Sequence, residues 1–88
     1  MTQYYALVQT KSHAFFLESR LRQEGVQCEL TNIPRDIMTD LCNLGVRFTE
    51  ADISAALDII RRCRLPGCKV CREGWNGGGI FYEVIYAE

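Results

Sequence analysis

The chain has 88 residues, a formal net charge of −1, and 48% hydrophobic and 24% charged residues. These values fit one soluble domain, and a charge near zero gives no global field that would attract nucleic acid or a membrane surface. The sequence contains no apolar run long enough to cross a bilayer, and its first residues do not resemble a signal peptide. We therefore expect a single domain over residues 1–88, located in the cytoplasm, with no nucleic-acid or membrane partner.

The first half of the chain predicts a strand, a helix and two more strands. An apolar and aromatic run at residues 4–8 indicates the first strand, and Ser12 is predicted to cap the helix that follows. Gly25 is predicted to end this helix in a left-handed conformation. Alternation of apolar and polar residues then predicts strands at 26–31 and 44–48. The predicted inward positions of the helix and of these two strands are Ala14, Leu17, Leu21, Val26, Cys28, Leu30, Leu44, Val46 and Phe48.

The second half predicts one helix and one strand. Thr49 and Asp52 form a near-capping box in front of an apolar stripe at helical spacing, and Leu65-Pro66-Gly67 ends that helix. A loop running to Gly77-Gly78-Gly79 then leads into a last strand at residues 80–86. This order predicts an α+β, ferredoxin-like βαββαβ fold, in which a four-stranded antiparallel sheet has both helices on one face.

Four of the five cysteines lie in two connections that this fold brings to one end, namely Cys42, Cys63, Cys68 and Cys71. Cys28, on an inward strand position, is predicted to fill the core. An odd number of cysteines and a CxxC motif in a reducing compartment favour redox, metal or carrier chemistry over a disulfide scaffold.

The CxxC of Cys68 and Cys71 leaves three interpretations open. The pair can cycle between dithiol and disulfide, although no helix is predicted to begin there and stabilise a thiolate. The pair can instead join Cys42 and Cys63 in a zinc or iron-sulfur site with four thiolates. The third interpretation is a surface loop with inert cysteines, and outside the metal hypothesis no cofactor is predicted.

Three segments of the chain form a recognisable pattern: Tyr4-Tyr5-Ala6-Leu7-Val8, Glu24-Gly25-Val26, and the stretch from Ile33-Pro34-Arg35-Asp36-Ile37 through Cys42 to Val46-Arg47-Phe48. Together they resemble the putative selenium/sulfur carrier-like family of small bacterial proteins. The likeness covers roughly the first 60 residues. It implies that Cys42 is the carrier thiol, that Pro34 and Arg35 form the family's turn, and that Arg47 is its strand arginine.

The chain departs from the family pattern in four ways. It has one extra residue between Ile37 and Cys42, Met38-Thr39-Asp40-Leu41 stands where serines are usual, Asn43 replaces a glycine, and His13 is displaced by one position. The role of His13 is therefore open between a base and an ordinary residue of the first helical turn.

The resemblance implies a carrier rather than an enzyme. Cys42, beside the Arg35 cation, would take sulfur or selenium from a donor protein and pass it to an acceptor, and Cys68 or Cys71 would resolve or accept the adduct. One alternative is the small metal-binding module. The other is a non-catalytic interaction domain that forms a homodimer through a sheet face bearing Tyr4 and Tyr82.

Overall fold

Five antiparallel strands and two α-helices form the part of the chain that our computed structural model describes, residues 2–38 and 42–88. In chain order the elements are β1 (Gln3–Leu7), α1 (Lys11–Gln23), β2 (Cys28–Asn32), β3 (Leu44–Thr49), a 3-10 turn (Glu50–Asp52), α2 (Ile53–Cys63), β4 (Lys69–Asn76) and β5 (Gly79–Ala87). The strands lie in the order β2-β3-β1-β4-β5, and every neighbouring pair is antiparallel. The predicted α+β class with two helices and an antiparallel sheet is confirmed.

The predicted count of four strands is wrong, because residues 69–76, expected to be a loop, form β4. The start of this strand is buried on both faces, with Val70 0% exposed on one side and Cys71 1% exposed on the other, so its sequence lacks a simple alternation of apolar and polar residues. The glycine run is a tight turn instead of a long flexible lead, and Gly79 adopts a φ of 117° where β5 begins.

Both helices pack against one face of the sheet and enclose the larger of two apolar clusters, which we call the helix-side core. Leu17 and Leu21 of α1 are fully buried there, and each contributes about 1.5–3 kcal/mol of transfer free energy to folding. The predicted inward residues of α1 and β3 are confirmed. The sequence predicts an α2 stripe of Ile53, Ala56, Leu57 and Ile60, and in the structure Ala56, Ile59 and Ile60 are buried while Ile53 and Leu57 are only partly buried. The sheet contributes Tyr4, Ala6, Val8, Val46, Phe48 and Val70.

The helix starts differ from the predictions. Thr10, not Ser12, is the N-cap of α1, and its hydroxyl oxygen accepts a hydrogen bond from the His13 N–H at 3.0 Å. The predicted capping box before α2 does not form, because Asp52 accepts a bond from the Gln27 N–H instead, at 3.3 Å. The predicted end of α1 is confirmed, since Gly25 has a φ of 87°.

The opposite face of the sheet has no helix among the described residues and holds a smaller cluster, which we call the open-face cluster. It consists of Tyr5, Leu7, Ile33 and Cys71, with Ile37 and Tyr82 packed against it. Residues 33–37 after β2 therefore turn back over this face, and the Ile33 N–H donates to the Asn43 carbonyl at 2.8 Å. Gly45 makes room for this arrangement, since a Cβ there would lie 2.3 Å from Cδ1 of Ile33 and 2.5 Å from the Ala6 carbonyl oxygen.

Candidate functional site

Cys42 lies immediately before β3 and belongs to the helix-side core, with 8% of its surface exposed. Its sulfur contacts the backbone of Leu44 in two ways. The Leu44 N–H donates to Sγ at 3.4 Å, and Sγ lies 3.3 Å from the Leu44 carbonyl oxygen, to which the protonated thiol can donate. The strand start thus offers a partner to both forms of the sulfur, since an N–H stabilises a thiolate and a carbonyl stabilises a thiol.

The turn that precedes Cys42 is anchored on the other face of the sheet. The Ile37 N–H donates to the Pro34 carbonyl at 3.1 Å, and the Ile37 side chain packs on the open-face cluster. Arg35 is exposed in this turn, which leaves its guanidinium accessible to an anion. Asp36 lies close enough to Tyr82 to contribute to the raised pKa of that phenol, whose main cause is burial. From the sequence, the carboxylate of Asp40 two residues before Cys42 is expected to oppose ionisation of that thiol, but Asp40 lies outside the described part of the chain.

The two cysteines of the CxxC lie on opposite faces of the sheet. Cys68 belongs to the helix-side core, and Cys71, opposite Tyr5 of β1, belongs to the open-face cluster. Side chains alternate along a strand, so residues three positions apart point in opposite directions. The sheet therefore separates these two thiols, which were predicted to share a loop.

The cysteine that lies near Cys68 is Cys63, not Cys71. Cys63 ends α2 and packs on the helix-side core, and the chain returns to β4 through a turn in which the Cys68 N–H donates to the Leu65 carbonyl at 3.2 Å. Burial raises the pKa of Cys68 to about 12, with further contributions from Cys63 and Glu88. Burial also raises the pKa of Cys63, against the opposing effects of Arg20 and Arg62. Both groups are therefore neutral thiols at neutral pH.

The four cysteines of the metal hypothesis are not brought together. Cys42, Cys63 and Cys68 contact the helix-side core and Cys71 lies behind the sheet, while all five cysteines of the chain are present as thiols. Among residues 2–38 and 42–88, no group of three or more histidine, cysteine, aspartate or glutamate side chains is arranged to hold a metal ion.

A row of side chains across the open face was missed in the sequence. Register pairs Glu29 with Arg47, Arg47 with Tyr5, and Tyr5 with Cys71. Arg47 forms an ion pair with Glu29 and a hydrogen bond with Tyr5, so it lies on the face opposite to Cys42. The signal was available for Glu29 and Arg47, because both alternate with the predicted core positions of their strands.

The remaining two candidates occupy separate places. Cys28 is half-buried, lies 3.9 Å from the Glu18 carbonyl oxygen and lines a shallow groove of about 220 Å³ next to β2 and β3. Burial raises the pKa of Cys28. As predicted, Cys28 packs against the core, and it also lines the groove. The Nδ1 atom of His13 is buried and has no hydrogen-bond partner in the described part of the chain.

Comparison with known families identifies one match. The sequence model of the family described as "Putative Se/S carrier protein-like" matches residues 3–71, a longer stretch than the sequence resemblance suggested, and it includes all five cysteines. No curated protein and no solved structure matches the chain. No helix in the described ranges is long and apolar enough to cross a membrane. Because the match covers most of its length, the chain belongs to the putative Se/S carrier protein-like family.

Proposed function

We propose that this protein is a thiol-based carrier of sulfur or selenium and that Cys42 is the thiol that takes the transferred atom. The observation that carries the proposal is the family match over residues 3–71, which contains the whole segment from the Pro34 turn to β3. A cytoplasmic location, where thiols are kept reduced, fits this function.

The surroundings of Cys42 support its role as the reacting thiol. A carrier thiol must ionise in order to attack, and the Leu44 N–H at 3.4 Å is a donor directed at the sulfur. The sulfur of Cys28 contacts a carbonyl oxygen, that of Glu18 at 3.9 Å, whereas Cys42 has the Leu44 N–H as a donor in addition to its carbonyl partner. The 8% exposure of Cys42 also exceeds the 1% exposure of Cys68 and of Cys71.

The proposed transfer is an exchange between sulfur atoms. The Cys42 thiolate attacks the terminal sulfur of a persulfide on the donor, a new S–S bond forms on Cys42, and the donor departs as a thiolate. Release repeats the exchange, with a thiolate of the acceptor protein as the attacking group. No external oxidant or reductant is needed, and a selenium atom would follow the same route.

Of the two cysteines of the CxxC, Cys68 is the better candidate for accepting the atom from Cys42. It shares the helix-side core with Cys42, whereas Cys71 lies beyond the sheet. The high pKa of Cys68 makes it a slow nucleophile, so transfer to Cys68 would be slower than loading of Cys42. Arg35, exposed in the preceding turn, would attract the anionic persulfide of a donor.

Mass spectrometry of the intact protein tests the proposal. The reduced protein is incubated with a low-molecular-weight persulfide, and we expect a species heavier by one sulfur atom that disappears in the Cys42→Ser variant. Cys28→Ser is the matched control, because it removes a half-buried thiol of β2 that lies opposite Phe48, at the far end of β3 from Cys42, and it should keep the adduct. An adduct that persists in Cys42→Ser, or that is lost only in the control, would reject Cys42 as the carrier thiol.

A further inference from the structure

The β4–β5 hairpin presents an exposed apolar surface beside the open-face cluster. Trp75 is 70% exposed, and Ile80, its partner in the hairpin, is 46% exposed. Val84, opposite Cys71, is 56% exposed. Tyr82 lies between Ile80 and Val84 and is held by an edge contact with the Tyr5 ring at 6.2 Å and a hydrogen bond to Glu73 at 3.4 Å. We call Ile80, Tyr82 and Val84 the β5 stripe.

The strand that bears the stripe is an edge of the sheet. β5 has nine residues and, among the described strands, pairs only with β4. Its other side therefore presents backbone N–H and C=O groups that another strand can pair with. Natural edge strands block such pairing with lysine, proline or inward-pointing charges, and β5 has no lysine or proline. The opposite edge, β2, has a polar outer surface on which Glu29 pairs with Arg47.

The pattern of β5 is complementary to itself. Ile80 and Val84 lie two positions to either side of Tyr82, so an antiparallel copy centred on Tyr82 places Ile80 opposite Val84 of the second copy. The only charged residue of the strand, Glu83, is neutralised within its own chain by Arg72 at 3.1 Å. The approach of a second β5 strand therefore does not bring two uncompensated carboxylates together.

We propose that two copies of this chain associate through antiparallel pairing of their β5 strands, centred on Tyr82, and join their sheets edge to edge. The interface is two-fold symmetric, and the β5 stripes of the two copies form one continuous apolar surface flanked by Trp75. The strand lies beyond residue 71, where the family match ends, so the proposal is independent of the carrier chemistry.

Sedimentation velocity of the full chain tests the proposal. At about 100 μM protein, a pair with a micromolar dissociation constant is almost entirely dimeric, and we expect this for the wild type. Val84→Lys should weaken the dimer at least tenfold, since it buries an ammonium group against Ile80 of the second copy. Phe15→Lys is the matched control, because it places the same charge on a 55% exposed apolar position of α1 and should leave the dimer unchanged.

A charge exchange tests the register itself. Ile80→Glu combined with Val84→Lys places each new carboxylate opposite a new ammonium group of the second copy, so the dimer should return. Ile80→Lys combined with Val84→Lys should be monomeric. Circular dichroism verifies that each variant is folded. A monomeric wild type, a dimer that Phe15→Lys disrupts and Val84→Lys does not, or no recovery in the Glu–Lys variant would overturn the proposal.

Discussion

On the helix side of the sheet, the buried residues are aliphatic, aromatic or cysteine, and they are enclosed by two helices. On the open side, a smaller cluster lies beneath a single turn of chain, and its member Tyr5 adjoins a charged row formed by Glu29 and Arg47. Each side nevertheless buries one cysteine of the CxxC to the same degree, Cys68 and Cys71 both being 1% exposed. Equal burial therefore does not mean equal surroundings.

The comparison separates packing from chemistry. A core between helices and sheet is surrounded by rigid elements, so a lost side chain leaves a cavity that cannot collapse easily. A cluster covered by a loop can adjust, and it can hold charged and phenolic groups next to apolar ones. We expect the helix side to set the stability of the fold, and the open side to tolerate change and take part in contacts.

Matched leucine substitutions on the two sides should give the largest effect. Leu21→Ala, at a fully buried position of α1, and Leu7→Ala, at a 4% exposed position of the open face, remove the same atoms. Both fall in the range of about 2–5 kcal/mol, and we expect Leu21→Ala near the top and Leu7→Ala near the bottom, because the turn above Leu7 can settle. Urea denaturation measures both values. Equal losses, or a larger loss for Leu7→Ala, would contradict the proposed difference between the sides.

The two buried cysteines sharpen the comparison through pH. Burial raises the pKa of Cys68 from 9.0 to about 12, and it raises the pKa of Cys71 against the opposing effect of Lys69. A raised folded-state pKa gives stability that is complete below the unfolded pKa and is lost as pH rises through the folded one. Stability from both thiols should therefore decline above pH 9.0, and the decline should extend over a wider pH range for Cys68.

Alanine variants allow this decline to be measured. The wild type should lose about 1 kcal/mol of its advantage over Cys68→Ala between neutral pH and about pH 10, and less of its advantage over Cys71→Ala. Val70→Ala, a buried position between the two cysteines without an ionisable group, should show a loss that does not depend on pH. Urea melts at both pH values provide the numbers, and a parallel decline for Val70→Ala would assign the effect to other groups.

Much of the helix side could be predicted from the sequence, because a single apolar face gives a clear period. Leu17 and Leu21 recur at helical spacing, and Val46 and Phe48 alternate with polar neighbours. β4 could not be predicted in the same way, because its start is buried on both faces and it contains Lys69, Arg72 and Glu73. Once that stretch is a strand, the three-residue spacing of the CxxC places its two thiols on opposite faces of the sheet.

The candidate site was harder to predict than the fold. The resemblance pointed to Cys42, but the backbone donor at Leu44 depends on how β3 begins, which no side-chain pattern reveals. The side of Arg47 did follow from strand alternation with Val46 and Phe48. Its partners Glu29 and Tyr5 required the register between three strands, which is set by packing over the whole sheet.

The charged row of the open face should give the smallest change in stability. Arg47 is partly exposed and its ion pair with Glu29 is screened by solvent, so Arg47→Gln should cost at most about 1 kcal/mol, and less at high salt. A more specific readout is Tyr5, whose pKa is raised mainly by burial and by Glu73 and is lowered by Arg47. Arg47→Gln should raise the pKa of Tyr5 further, and Glu73→Gln should lower it.

NMR titration of the Tyr5 ring signals distinguishes these two shifts, because the variants change the same phenol in opposite directions. The two substitutions both remove one charge from the open face, so a nonspecific loss of packing would move the Tyr5 pKa in the same direction in both variants. Opposite shifts with little change in the free energy of unfolding would mean that the row tunes a surface group without supporting the fold. A loss comparable to that of Leu21→Ala would instead place the open side among the determinants of stability, and the difference between the two sides of the sheet would no longer hold.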